Sequence, residues 1–133
     1  MLVLIPVRHP LTEYNRNAIE KGLDIIKEES NPELVILHVN QLHKHENVTQ
    51  SELRKTVQAE FGVISANYIV RDGFLVEEAI LDEAIRLDVG HVVLSERRYA
   101  AWQQRLRDIL DIGVDLESFI NEHLDAEIHI VNA

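Results

Sequence analysis

The residues with the most evident chemistry in this chain are two short basic clusters. Arg8 and His9 follow one apolar run, Arg97 and Arg98 follow another, and Arg105 comes two helical turns later. An arginine fork offers several N–H donors in one plane and matches the oxygens of a phosphate or carboxylate. If they converge, these five residues form a pocket for an anion such as a phosphate, a carboxylate metabolite or a rearranged nucleotide. In the alternative reading the arginines pair with Glu13, Glu96, Asp108 or Asp111 on the surface, for little energy. The sequence leaves both readings open.

Other reactive groups offer less. His43, His45 and Glu46 form an H-x-H-E cluster. In a loop that spacing fixes no ring geometry, and no third ligand pair is evident, so the segment reads as solvated and no metal site is expected. Ser95 lacks an evident base and orienting partner, which leaves nucleophilic catalysis without support, and no catalytic residue is assigned. Glu77, Glu78, Asp82 and Glu83 read as the solvated face of a helix. His38 and His91 lie in or beside apolar runs and read as hydrogen-bonded packing residues. Trp102, with Tyr99, reads as core packing in an amphipathic helix rather than as a platform for a base.

The elements that must position these residues are legible as a pattern. Residues 2–7 (LVLIPV), 34–39 (LVILHV), 66–71 (ANYIVR), 91–95 (HVVLS) and 127–131 (EIHIV) are short strand-like runs. Helical spacing fills the gaps between them. A first helix starts at Thr12, a capping residue, carries Ala18, Ile19, Leu23, Ile25 and Ile26, and stops at Ser30-Asn31-Pro32. A second runs from Ser51 through Leu53, Val57 and Phe61 to a closing Gly62. Residues 75–87 and 98–111 are amphipathic, and after Gly113 residues 115–124 predict one more helix. Residues 40–50 read as a loop and Asp72-Gly73 as a turn. This alternation predicts one α/β domain over residues 1–133, with helices on both faces of a five-stranded parallel sheet.

Ligands of such sheets sit beyond the carboxyl ends of the strands, where the strand order reverses. The residues there are Arg8 and His9, then Asn40 just beyond His38, then Arg71, Asp72 and Gly73, then Ser95, Glu96, Arg97 and Arg98. A phospho-receiver domain needs acids after its first strand, where this chain has Arg8-His9. A dinucleotide fold or a P-loop needs glycines in that turn, and RHPLTE has none. These three uses of an α/β sheet are excluded.

Charge and composition narrow the partners. The 133 residues carry 23 acids against 13 lysines and arginines, a net charge of −10, which argues against non-specific nucleic-acid binding. Residues 97–107 depart from that balance, with Arg97, Arg98, Arg105 and Arg107 and no acid. The absence of cysteine excludes disulfides and thiolate chemistry and fits a cytoplasmic location. No apolar run approaches the ~18–20 residues that cross a bilayer, and the apolar start lacks a basic flank, so neither membrane insertion nor a signal peptide is expected.

Three segments then fall in a recognisable order: Leu4-Ile5-Pro6-Val7-Arg8 before a helix with Ala18 and Leu23, Leu37-His38-Val39, and Gly73-Phe74-Leu75 leading to Ile80. Over nearly its whole length the chain resembles the universal stress protein family. The resemblance implies a three-layer α/β/α fold of the adenine-nucleotide alpha-hydrolase-like type, with strand order 3-2-1-4-5. By family position it implies a ligand site at Pro6, Val7, Arg8, Val39, Leu94, Ser95 and Arg98. The departures from the family pattern fall in that same site. Arg8 replaces the family's acid, the glycines of G-x-x-G fall on Ser95 and Arg98, and the later Gly-Ser or Gly-Thr falls on Asp108-Ile109. Side chains at glycine positions keep phosphates from the backbone N–H groups, and an aspartate repels them.

The expectation is a stress-response regulatory or binding domain, not an enzyme, that does not hold ATP in the family's usual way. One alternative is a nucleotide- or anion-binding member whose phosphate site has been rebuilt with arginines. The other is a hydrolase or transferase on the same fold. No cofactor is assigned beyond a nucleotide or small anion. The last strand, as a sheet edge, would expose unpaired backbone groups, and pairing with a second copy about a two-fold axis satisfies both edges. A homodimer is therefore expected, with Ile128, His129, Ile130 and Val131 at the interface, as the family often forms; a protein partner is a further expectation.

Overall fold

In the computed structural model, which describes residues 1–110 and 126–132, the apolar runs pair into one sheet. Its strands are β1 (Leu2–Val7), β2 (Glu33–Gln41), β3 (Ala66–Gly73), β4 (His91–Ser95) and β5 (Glu127–Val131). They are parallel throughout and ordered β3-β2-β1-β4-β5. Among the described residues four helices connect them: α1 (Glu13–Glu28), α2 (Gln50–Phe61), α3 (Val76–Arg86) and α4 (Glu96–Leu110). The helix expected over residues 115–124, and the break at Gly113, lie outside the described residues. Among the described residues no helix is long and apolar enough to cross a membrane.

Alternation along the strands divides the core into two layers. Val3, Ile5 and Val7 of β1 meet Ala18, Ile19 and Ile25 of α1 and Leu53 and Val57 of α2 on one face. Leu4 of β1, Val35 and Leu37 of β2, and Val92 and Leu94 of β4 meet α3 and Trp102 of α4 on the other. The result is a three-layer α/β/α architecture. A Cβ at Gly22 would collide with the Ile5 side chain, so glycine there lets α1 press onto β1. Gly62 caps α2 at φ 73°, ψ −167°, a conformation open almost only to glycine.

Three local expectations need correction. Asp72-Gly73 is not a turn: β2 extends through Gln41, so Asn40 and Gln41 offer a ladder to Asp72 and Gly73. The loop expected over residues 40–50 is correspondingly shorter, and a 3-10 turn at Leu42–Lys44 opens it. The acids of α3 are not a uniformly solvated face. Glu83 is 5% exposed and accepts from Arg71 and Arg86, while Glu77 is largely covered by Arg98. The helix is wedged between strands β2 and β3 on one side and α4 on the other, so both flanks of its polar stripe meet cations.

Candidate anion site at the carboxyl end of the sheet

The first basic cluster is held by its backbone. Buried Asn15, in the first turn of α1, accepts the N–H groups of Arg8 and Thr12 through Oδ1, each at 3.1 Å. Thr12 Oγ1 accepts the Asn15 N–H in return at 3.2 Å, completing a capping box. The turn after β1 is thereby fixed while the Arg8 side chain stays exposed. His9 is tethered to α2. The hydroxyl proton of Thr56 goes to the Glu52 carbonyl, so His9 Nε2–H donates to Thr56 Oγ1 at 2.9 Å.

The second cluster is set by a helix cap. Ser95, the last residue of β4, accepts the Arg98 N–H through Oγ at 3.1 Å, which starts α4 and puts Arg97 and Arg98 in its first turn. Trp102, one turn later, is fully buried and donates Nε1–H to the Glu77 carbonyl at 3.1 Å. That contact seats α4 on α3, as the core-packing reading of Trp102 expects. Because β1 and β4 are neighbours, the two basic clusters meet.

They meet around three adjoining cavities. One of about 370 Å³ is bordered by Arg8, His9 and Arg98, with Val7, Val39 and Ile80 among its apolar walls. A second of about 330 Å³ is bordered by Arg8, Arg97, Arg98 and Ser95. A third of about 250 Å³ is bordered by Arg8, Arg98 and Arg105. Arg8 and Arg98 thus border all three, and all five basic candidates border at least one.

The electrostatics are those of a site with surplus positive charge. Burial holds the Arg98 guanidinium below the usual arginine value; Glu77 opposes that shift, and the nearby Arg8 charge adds to it. Among the described residues Arg98 has one carboxylate contact, Glu77 Oε1 at 3.4 Å, and not Glu13, Glu96 or Asp108; Asp111 lies outside the described residues. Among the described residues no carboxylate comes within ion-pair distance of Arg8 or Arg97. Nothing in the sequence marked Glu77 as the partner, because Arg98 lies 21 positions away on another helix.

The remaining candidates fall as follows. By family position, Pro6, Val7, Arg8, Val39 and Arg98 border the first cavity and Ser95 the second, while Leu94 is buried in the core. His38 is buried, with its ring nitrogens 3.4 Å from the Val7 carbonyl and 3.1 Å from Asn40 Oδ1. His91 is also buried and hydrogen-bonded, as expected of a packing residue. His43, His45 and Glu46 do not converge: Glu46 accepts the Gln41 N–H and His45 is exposed. Ser95 Oγ is engaged in capping rather than activated. On β5, Ile128 and Val131 pack against opposite core layers, His129 is half-buried and Ile130 is exposed. One edge of β5 pairs with β4, and among the described residues no strand covers the other.

No protein-family model matches the chain, and no curated protein matches it. Among solved structures it is similar to the crystal structure of hypothetical protein PH0823, at 16% identity and a TM-score of 0.55. The match covers 98% of this chain and 94% of that one, and at this identity it shows the fold alone.

Proposed function

We propose that the carboxyl end of the sheet is an anion-binding pocket and that the chain is a binding or regulatory domain of the universal stress protein type. The observation that carries this reading is the pair Arg8 and Arg98, which border the same three cavities with one carboxylate contact between them among the described residues. A half-buried guanidinium next to a second cation is costly until an anion neutralises both. Ser95 and Arg98 stand where the family has glycines, so in this reading side-chain forks take over from backbone N–H groups. The domain acts by binding rather than turnover, in a cytoplasmic setting.

The first cavity favours a nucleotide as the second reading. Its apolar walls, Val7, Val39 and Ile80, adjoin the arginines, and about 370 Å³ lies within the range of small-ligand pockets. A ring would rest there with its phosphate on Arg8 and Arg98. The test is titration of the wild type and of the Arg97→Ala/Arg98→Ala double variant with inorganic phosphate and with AMP. Binding by the wild type, weakened at least tenfold in the variant, is expected. Equal, negligible binding by both proteins sinks the anion pocket, and phosphate bound as tightly as AMP sinks the nucleotide reading.

The proposal includes a homodimer paired through β5, which would satisfy the backbone groups on its outer edge. Light scattering at micromolar concentration should give twice the chain mass of 15.3 kDa. A monomeric mass would contradict it.

A further inference from the structure

The opposite end of the sheet holds a second, unrelated cluster. His91 opens β4, while Glu127 and His129 come from β5, on the side of the sheet covered by α1. His91 Nδ1 lies 3.0 Å from His129 Nε2 and 3.7 Å from Glu127 Oε2, and the latter two atoms are 3.9 Å apart. Three atoms at those separations share a point about 2.1 Å from each, which is the length of a zinc–nitrogen or zinc–oxygen bond.

We propose that His91 Nδ1, His129 Nε2 and Glu127 Oε2 form a binding site for a divalent transition cation of the zinc class. A fourth element supports it. Glu29, the C-cap of α1, stands 3.0 Å from His91 Nε2 and accepts that N–H. The bond fixes the tautomer of His91 so that Nδ1 presents its lone pair to the ion, as the outer carboxylate of a histidine–metal site does. Burial holds the His129 ring below the usual histidine value; Glu127 opposes that shift, and His91 and exposed Lys21 of α1 reinforce it.

Without an ion, His129 Nε2–H donates to His91 Nδ1; to ligate, His129 takes its Nδ1–H tautomer, which frees the Nε2 lone pair with no net release of a proton. The Glu127 side chain is 69% exposed, so a further position on the ion would open to water. Two imidazoles and one carboxylate favour a borderline cation over calcium or magnesium. Since two ligands sit on the edge strand and one on its neighbour, the ion would also clip β5 to the body of the sheet.

The test uses the full chain, stripped of metal by a chelator, in a zinc competition against a colorimetric chelator. One equivalent of zinc is expected per chain, with binding weaker at acid pH because protons compete. His129→Ala and Glu127→Gln should abolish the equivalent. Glu29→Gln, which removes no ligand, should weaken it about tenfold or more. Glu127 is exposed, so its variant reports on the site even if a histidine variant folds poorly. A His43→Ala/His45→Ala variant should retain the full equivalent. Absence of bound zinc in the wild type would overturn the proposal, as would an equivalent that survives Glu127→Gln but disappears with His43 and His45.

Discussion

The two ends of this sheet carry opposite chemistry. At the carboxyl end Arg8, Arg97 and Arg98 gather around cavities, with Glu77 as the one carboxylate contact of Arg98 among the described residues. At the amino end Glu29 and Glu127 flank a pair of touching histidines. Each end also places its charge against the local helix field. Arg97 and Arg98 lie in the first turn of α4, where the macrodipole is positive, and Glu29 caps the C-terminus of α1, where it is negative. Charges of the sign a helix end disfavours are relieved by a counter-ion of the other sign. The contrast is the basis on which we propose an anion at one end and a cation at the other.

The largest expected effect tests how the carboxyl end is built. Trp102→Ala should cost about 3–5 kcal/mol, since it empties a fully buried site and removes the hydrogen bond that seats α4 on α3. Urea unfolding measures this directly. A loss below about 1 kcal/mol would mean that Trp102 does not hold α4, and with it Arg98, in place.

A smaller effect sharpens the amino end. The metal-free His129 ring is held below the ordinary histidine value, chiefly by burial, so the unfolded chain binds a proton there more readily than the folded one. This contribution to stability is present above the unfolded value, near 6.5, and is lost as pH falls through the folded value. Unfolding free energies between about pH 8 and pH 5 should fall less steeply for His129→Ala than for the wild type. Carboxylates common to both proteins cancel in that difference. Glu127, His91 and Lys21 act on the ring and Glu29 holds His91, and identical slopes would show that they, rather than burial of His129, govern the acid response.

Much of the fold is legible from residue pattern alone. Apolar runs such as LVLIPV and LVILHV admit few readings beyond buried strands, and Thr12 announces the start of α1 that the capping box then forms. The carboxyl-end site is legible for a topological reason: residues directly after parallel strands share one edge, so Arg8 and Arg98 meet although 90 positions separate them. The amino-end cluster obeys no such rule. Glu29, His91 and Glu127 come from a helix end and two strand starts, and His129 from within the edge strand; taken singly, each reads as a cap, a packing residue or an edge residue. The acids of α3 were hidden for a related reason. Periodicity identifies the polar stripe of a helix but not the neighbours, here Arg71 and Arg98, that cover its flanks. Asp72-Gly73 has turn composition, yet the continuation of β2 recruits it into β3.

The claim that the two ends take ligands of opposite charge is tested most directly by thermal unfolding with phosphate or zinc added. The proteins compared are the wild type, Arg97→Ala/Arg98→Ala and His129→Ala. A ligand that binds only the folded state raises the midpoint, by about 2.7 kcal/mol of stabilisation at a hundredfold excess over Kd. Phosphate should stabilise the wild type and His129→Ala but not the arginine variant, and zinc should stabilise the wild type and the arginine variant but not His129→Ala. Stabilisation of all three proteins alike by either ligand, or of none, would contradict the account.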